Sequence, residues 1–144
     1  MHATELPKAI HRDGWVYEER YDGWRMVAEK VGSQVTLTSR NGLDHTHRFP
    51  ELVRAIAELD APSFILDGEI ATFDRQLASE RQLIIPVRRL PANGLEAWDE
   101  VLRDNYEGMI AKDPGSAYTP GRTLSWLKVK QRGYRQEARG FHPG

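Results

Sequence analysis

Two glycine-bearing turn signals, Asp22-Gly23 and Gly32-Ser33, divide the first forty residues into short runs too brief for helices. Residues 15–19 and 25–31 read as strands on either side of Asp22-Gly23, and 34–39 alternates as the arm of a second hairpin. This makes an antiparallel start. Pro50 then opens residues 51–59, whose apolar positions 52, 53, 56 and 59 recur at helical spacing, with proline tolerated in the first turn. Residues 63–73 and 83–87 are apolar and β-rich, 95–103 has the pattern of a second helix, and 108–112 and 124–129 close the series as strands. Hairpin strands with two helices imply an α+β fold, a mainly antiparallel sheet with flanking helices. A length of 144 residues suits a single domain, here expected over 1–132 with a basic C-terminal tail over 133–144.

Composition narrows the function class. Hydrophobic residues at 40% and charged residues at 28% are ordinary for a folded domain and argue against wholesale disorder. No apolar run approaches the roughly 18 residues that span a bilayer, and the first residues lack a signal peptide's basic and apolar regions, so a cytoplasmic protein without a membrane partner is expected. The chain has no cysteine, which leaves oxygen ligands for any metal. Its net charge of −1 draws no nucleic acid as a whole. Between Arg122 and Arg139, however, six cations stand against Glu137 alone, a pattern suited to phosphate contact and, beyond Arg132, equally to a solvated terminus.

Lys128 and Lys130 alternate along one predicted strand, so both ammonium groups lie on one face and are placed to grip a phosphate. Lysines on a solvent face would give the same pattern. Glu69 and Glu107 each sit beside a glycine, which permits close backbone approach, and a carboxylate in such a place suits a magnesium ion that keeps most of its water. A surface salt bridge or a plain turn is the alternative for each residue alone.

The order of these pieces says more than any one of them. Glu18-Glu19-Arg20-Tyr21-Asp22-Gly23-Trp24-Arg25 is followed by Ser39-Arg40-Asn41-Gly42, Arg48-Phe49-Pro50-Glu51-Leu52, Leu66-Asp67-Gly68-Glu69, Glu107-Gly108-Met109-Ile110-Ala111-Lys112 and Trp126-Leu127-Lys128-Val129-Lys130. Over most of its length the chain resembles the adenylation domain of ATP-dependent DNA ligases, which seal nicks in DNA repair and recombination. In that family a first-motif lysine attacks the α-phosphate of ATP, and the AMP passes to a 5′-phosphate before the 3′-hydroxyl displaces it. The resemblance implies that Glu18 contacts the adenine amine and that Arg25 and Arg40 contact phosphate or ribose. Glu69 would lie near the ribose and metal, Glu107 would help to hold Mg2+, and Lys112, Lys128 and Lys130 would bind phosphate. ATP and nicked duplex DNA are the implied ligands. Tyr21, Trp24 and Trp126 are expected in packing.

Two departures bear on activity. Arg20 stands where the family has its nucleophilic lysine, and neither Lys8 nor Lys30, the nearest lysines in sequence, occupies that position. A guanidinium keeps its proton, with a pKa above about 12, and spreads its lone pair over three nitrogens, so self-adenylation is expected to be absent. The family also carries more chain between Glu69 and Glu107, including an aromatic adenine platform. The expected domain is therefore shortened between about residues 75 and 83, has no OB-fold domain after it, and would need a protein partner to supply the missing parts. A non-catalytic binding module and an inactive remnant are the other readings.

Overall fold

The computed structural model describes residues 1–71 and 83–134, which fall into two compact units. The first comprises 1–21 with 87–134, the second 22–71 with 83–86.

In the first unit, β1 (His2–Glu5), β2 (Val16–Arg20), β6 (Gly108–Lys112) and β7 (Arg122–Lys130) form a sheet in the order β1-β7-β6-β2, while β3 to β5 belong to the second unit. β1 runs parallel to β7, and the other neighbours are antiparallel. Alternation along the strands turns Tyr17, Met109, Ala111, Leu127 and Val129 to one face, where each is at most 2% exposed against α2 (Gly94–Arg103), which contributes Ala97 and Val101. Burying each large side chain there stabilises the unit by about 1.5–3 kcal/mol. Both ends of α2 are specified locally. Asn93 accepts hydrogen bonds at Oδ1 from the amides of Leu95 (2.9 Å) and Glu96 (3.4 Å), satisfying two of the helix's orphan donors. At the other end Asn105 takes a left-handed φ of 54°, and the Tyr106 amide donates back to the Val101 carbonyl at 2.9 Å. That reversal drops Tyr106 into the core and delivers Glu107 to the start of β6.

In the second unit, β3 (Trp24–Val31) lies between β4 (Gln34–Ser39) and β5 (Ser63–Ile70), all antiparallel. Gly32, at φ 61°, makes the two-residue turn that pairs Val31 with Gln34. Met26, Ala28, Val35 and Leu37 face α1 (Pro50–Ala57) and pack on its Ile56. Lys30 shares this face: it is 5% exposed, donates to the Leu59 carbonyl at 2.5 Å and lies 5.7 Å from the Phe64 ring centroid.

The α+β class, the antiparallel pairing and the two flanking helices agree with the sequence reading. Its single sheet does not. Residues 15–19 and 25–31 were expected to face each other across Asp22-Gly23, yet they enter different sheets because neither strand has a vacant edge. β3 has β4 and β5 on its two sides. β2 has β6 on one side and residues 88–90 on the other, through Glu19 N–H to Arg88 O (3.0 Å) and Leu90 N–H to Tyr17 O (2.9 Å). Residues 83–87 form no strand: Leu83, Ile85 and Val87 are exposed, and Ile84 packs on the second core. β1 was not anticipated. The expected shortening between about 75 and 83 lies almost wholly outside the described residues, as does most of the 133–144 tail.

Gly94 sits at the start of α2, where an added Cβ would come within 1.9 Å of the Ile10 carbonyl oxygen and 2.8 Å of the Tyr17 ring. Gly94→Ala is expected to lower the unfolding free energy by about 3 kcal/mol, the upper range for overpacking, against about 1 kcal/mol for Asn93→Ala. Urea denaturation of the two variants checks the order.

Candidate functional site

Directly opposed residues of an antiparallel ladder share a face, so the register of the first sheet assigns its charged residues together. One row runs Arg20, Gly108, Lys130; the next Glu18, Ile110, Lys128; the third Val16, Lys112, Trp126. Glu5 of β1 stands beside Lys128. This is the face opposite the one packed on α2. The same two-residue period that buries Tyr17, Met109 and Val129 therefore presents Glu18, Arg20, Lys112, Lys128 and Lys130 together.

Carboxylates already engage most of these cations. Lys112 Nζ lies 2.6 Å from Glu18 Oε2, and Arg89 Nε lies 3.5 Å from Glu18 Oε1. Lys128 Nζ is 3.4 Å from Glu5 Oε2. Arg20 forms an ion pair with Glu107, their side chains 20% and 11% exposed. Gly108, opposite Arg20, leaves that row without a central side chain, and a Cβ there would meet the Val129 carbonyl oxygen at 2.1 Å. A cavity of about 280 Å³ opens at the Glu18 end of the face, between Lys112, Arg89, Tyr118 and Trp126. Trp126 thus lines a cavity instead of packing in the core: Lys112 Nζ sits 4.3 Å from its ring centroid and Tyr118 meets it edge-on at 5.9 Å.

A pocket bounded by an acid, a lysine and an aromatic wall, with further lysines along the same sheet face, suits a nucleotide. Residues 2–90 match the family described as ATP dependent DNA ligase domain. This chain belongs to that family. The ligase-family chain is 26% identical over 178 aligned positions to the multifunctional non-homologous end joining protein LigD of Mycolicibacterium smegmatis, an alignment covering 90% of this chain and 23% of that protein. Its fold is similar to that of a mycobacterial DNA ligase D complexed with ATP and MES, with a TM-score of 0.67 at 25% identity, covering 89% of this chain and 60% of the other. The ligase domain of Mycobacterium tuberculosis LigD gives 0.65 at 26% identity, covering 89% and 59%. The chain therefore spans under a quarter of that full-length LigD and about three-fifths of the solved ligase structures.

Six of the residues picked out from sequence, Glu18, Arg20, Glu107, Lys112, Lys128 and Lys130, belong to the first unit. Arg25, Arg40 and Glu69 belong to the second. There Arg25 makes a two-pronged contact with Asp67, Nε to Oδ1 at 3.0 Å and Nη2 to Oδ2 at 2.5 Å, so its fork is already held by a carboxylate. Glu69 stands directly across the β3–β5 ladder from Arg25, and Arg40 follows the last residue of β4. Trp24 packs as expected, against His45 and Phe49.

The implied magnesium fits these residues poorly. Among the described residues no three histidines or acids are grouped as a metal site. Glu107 Oε2 is buried and has no hydrogen-bond partner among them, which leaves one acceptor open, but the carboxylate's charge is already matched by a cation that cannot lose its proton. At an effective dielectric near 20, two unit charges about 4 Å apart repel by about 4 kcal/mol, and a divalent ion doubles that. Glu107 is thus engaged by Arg20 in the first unit, and Glu69 belongs to the second.

Sequence reasoning missed Arg88 and Arg89. Residues 88–90 run alongside β2 with Arg89 opposite Glu18, so alternation sends Arg89 to the cavity face and Arg88 to buried Glu19, 3.4 Å away. The signal was present as an acidic pair, Glu18-Glu19, and a basic pair, Arg88-Arg89. Arg88 Nη1 also donates to the Tyr106 hydroxyl at 2.7 Å. Burial, and then Glu19, push the Tyr21 phenol above its ordinary value. Burial pushes Tyr106 up too, although Arg88 opposes it.

A raised phenol pKa in the fold means that the native state holds its proton longer than the unfolded chain does. The resulting stability is complete below the unfolded value near 10 and is lost as pH climbs through the folded value. The urea midpoint should fall as pH rises above about 10, and less steeply in Tyr106→Phe. Absorbance at about 295 nm should show tyrosines ionising late, at a pH above the ordinary value.

Proposed function

We propose that this ligase-family domain binds ATP and phosphorylated DNA ends without forming a covalent enzyme–AMP. The observation that carries the proposal is Arg20, placed at the nucleophile position and ion-paired to Glu107. Attack on the α-phosphate needs a nitrogen with a free lone pair, and burial or neighbouring cations expose one on lysine by lowering its pKa. Arginine gives no such form. Arg20, Lys112, Lys128 and Lys130 supply charge for phosphates, and the cavity beside Glu18 takes the base, with Glu18 accepting from its exocyclic amine.

We read residues 1–132 as an adenylation domain shortened in the middle. The LigD alignment supports a shortened chain, because about 130 residues of it are spread over 178 aligned positions, leaving about 48 without a counterpart. The exposed Ile65 and Leu66 of β5, 69% and 39% accessible on its two faces, support a partner that supplies the missing elements. LigD is named for end joining, and we place this chain in the same DNA-repair setting in the cytoplasm. The joining of an already adenylated nick needs no lysine nucleophile and is the one ligase step compatible with Arg20.

Incubation with α-labelled ATP and Mg2+ followed by denaturation is expected to leave no label on the protein; retained label would defeat the proposal. ATP should still raise the melting temperature, since a ligand at about 100 times its Kd stabilises the native state by about 2.7 kcal/mol. Lys128→Ala/Lys130→Ala should lose most of that shift. No shift at millimolar ATP would instead favour an inactive remnant.

A further inference from the structure

Glu107 enters the site from the end of α2, where left-handed Asn105 and core-packed Tyr106 fix the path of the chain. Its carboxylate meets the Arg20 guanidinium with both side chains largely withdrawn from water. Arg20 is anchored in turn by β2, paired with β6 along its length. Opposite it Gly108 adds no side chain, and beyond Gly108 in the same row stands Lys130. Two cations therefore flank a stretch of bare backbone, and Lys128 lies in the neighbouring row. The face and its cavity hold Arg20, Lys112, Lys128, Lys130 and Arg89 against Glu5, Glu18, Glu107 and Asp113, an excess of one positive charge supplied by the protein.

We propose that Arg20 stands in for the divalent cation at Glu107, so that this site receives phosphate on protein cations alone. Magnesium gives up its water reluctantly and needs the negative charge of its ligands. Glu107 has lent that charge to a guanidinium, which is more weakly hydrated, always protonated and shaped to bridge a carboxylate and a phosphate oxygen. One residue thus removes the nucleophile and takes the place of the metal. The phosphate half of the proposal rests on the nucleotide-binding reading above, whereas the metal half stands apart from it.

The test uses the full chain. Manganese is titrated without nucleotide and followed by electron paramagnetic resonance, and wild type is expected to leave the ion free. Manganese held by wild type and released by Glu107→Gln would overturn the proposal. ATP binding is then measured by calorimetry in excess Mg2+ and in EDTA. The two dissociation constants should agree within about threefold for wild type, while Arg20→Gln should bind about tenfold more weakly in EDTA than in Mg2+. A tenfold or greater metal requirement in wild type, or its absence in a folded Arg20→Gln, would also overturn the proposal. Should Arg20→Gln not fold, the wild-type titrations decide alone. If ATP fails to bind in either buffer, the nucleotide reading falls, and the manganese result still decides whether Glu107 is free for a metal.

Discussion

The two-residue period shared by β2, β6 and β7 is the constraint on which the first unit depends. Tyr17, Met109, Ala111, Leu127 and Val129 must face α2 together, since that face is the unit's core. Once they do, Glu18, Arg20, Lys112, Lys128 and Lys130 have only the other face to occupy. A slip of one residue in any strand would put charges into the core, so hydrophobic burial sets the register of the site with far more energy than the charges themselves supply. Residues 88–90 obey the same rule along the outer edge of β2, sending Arg88 to Glu19 and Arg89 to Glu18.

Burial ranks the ion pairs on that face. Lys128 and Glu5 are 29% and 55% exposed, and a pair so wet is worth about 0–1 kcal/mol, so Lys128 gives up Glu5 at little cost. Arg20 and Glu107, at 20% and 11%, form a different kind of pair. Removing one partner of a buried pair strands the other and costs about 3–5 kcal/mol. The site thus has exchangeable cations on Lys128 and Lys130 and a fixed one at Arg20, which is the reverse of what covalent adenylation asks of that position.

Much of the local structure was legible in the chain. The β3–β4 hairpin follows from Gly32-Ser33, and the helix at Pro50 and α2 from their apolar spacing, whereas the Asn93 cap of α2 emerged only in the fold. Partner choice was harder to read. Asp22-Gly23 is a good turn signal, yet the strands beside it separate because 88–90 and β5, distant in sequence, already occupy the edges a hairpin would use. β1 carries only four residues, His2–Glu5, too few for periodicity to register. The apolar residues of 83–87 read as a strand although only Ile84 packs on the core.

By itself, the order of the motifs determined membership of the ligase family, and the identity of residue 20 put a guanidinium instead of an amine before Tyr21-Asp22-Gly23, because both are properties of residue type and spacing. Only the tertiary structure decided what Arg20 does instead. Glu107 lies 87 positions further along the chain and reaches Arg20 through the pairing of β2 with β6 and the reversal at the end of α2. Contacts of that kind depend on which strands find one another during burial of the core, a choice made by the whole chain and invisible in any short stretch of it.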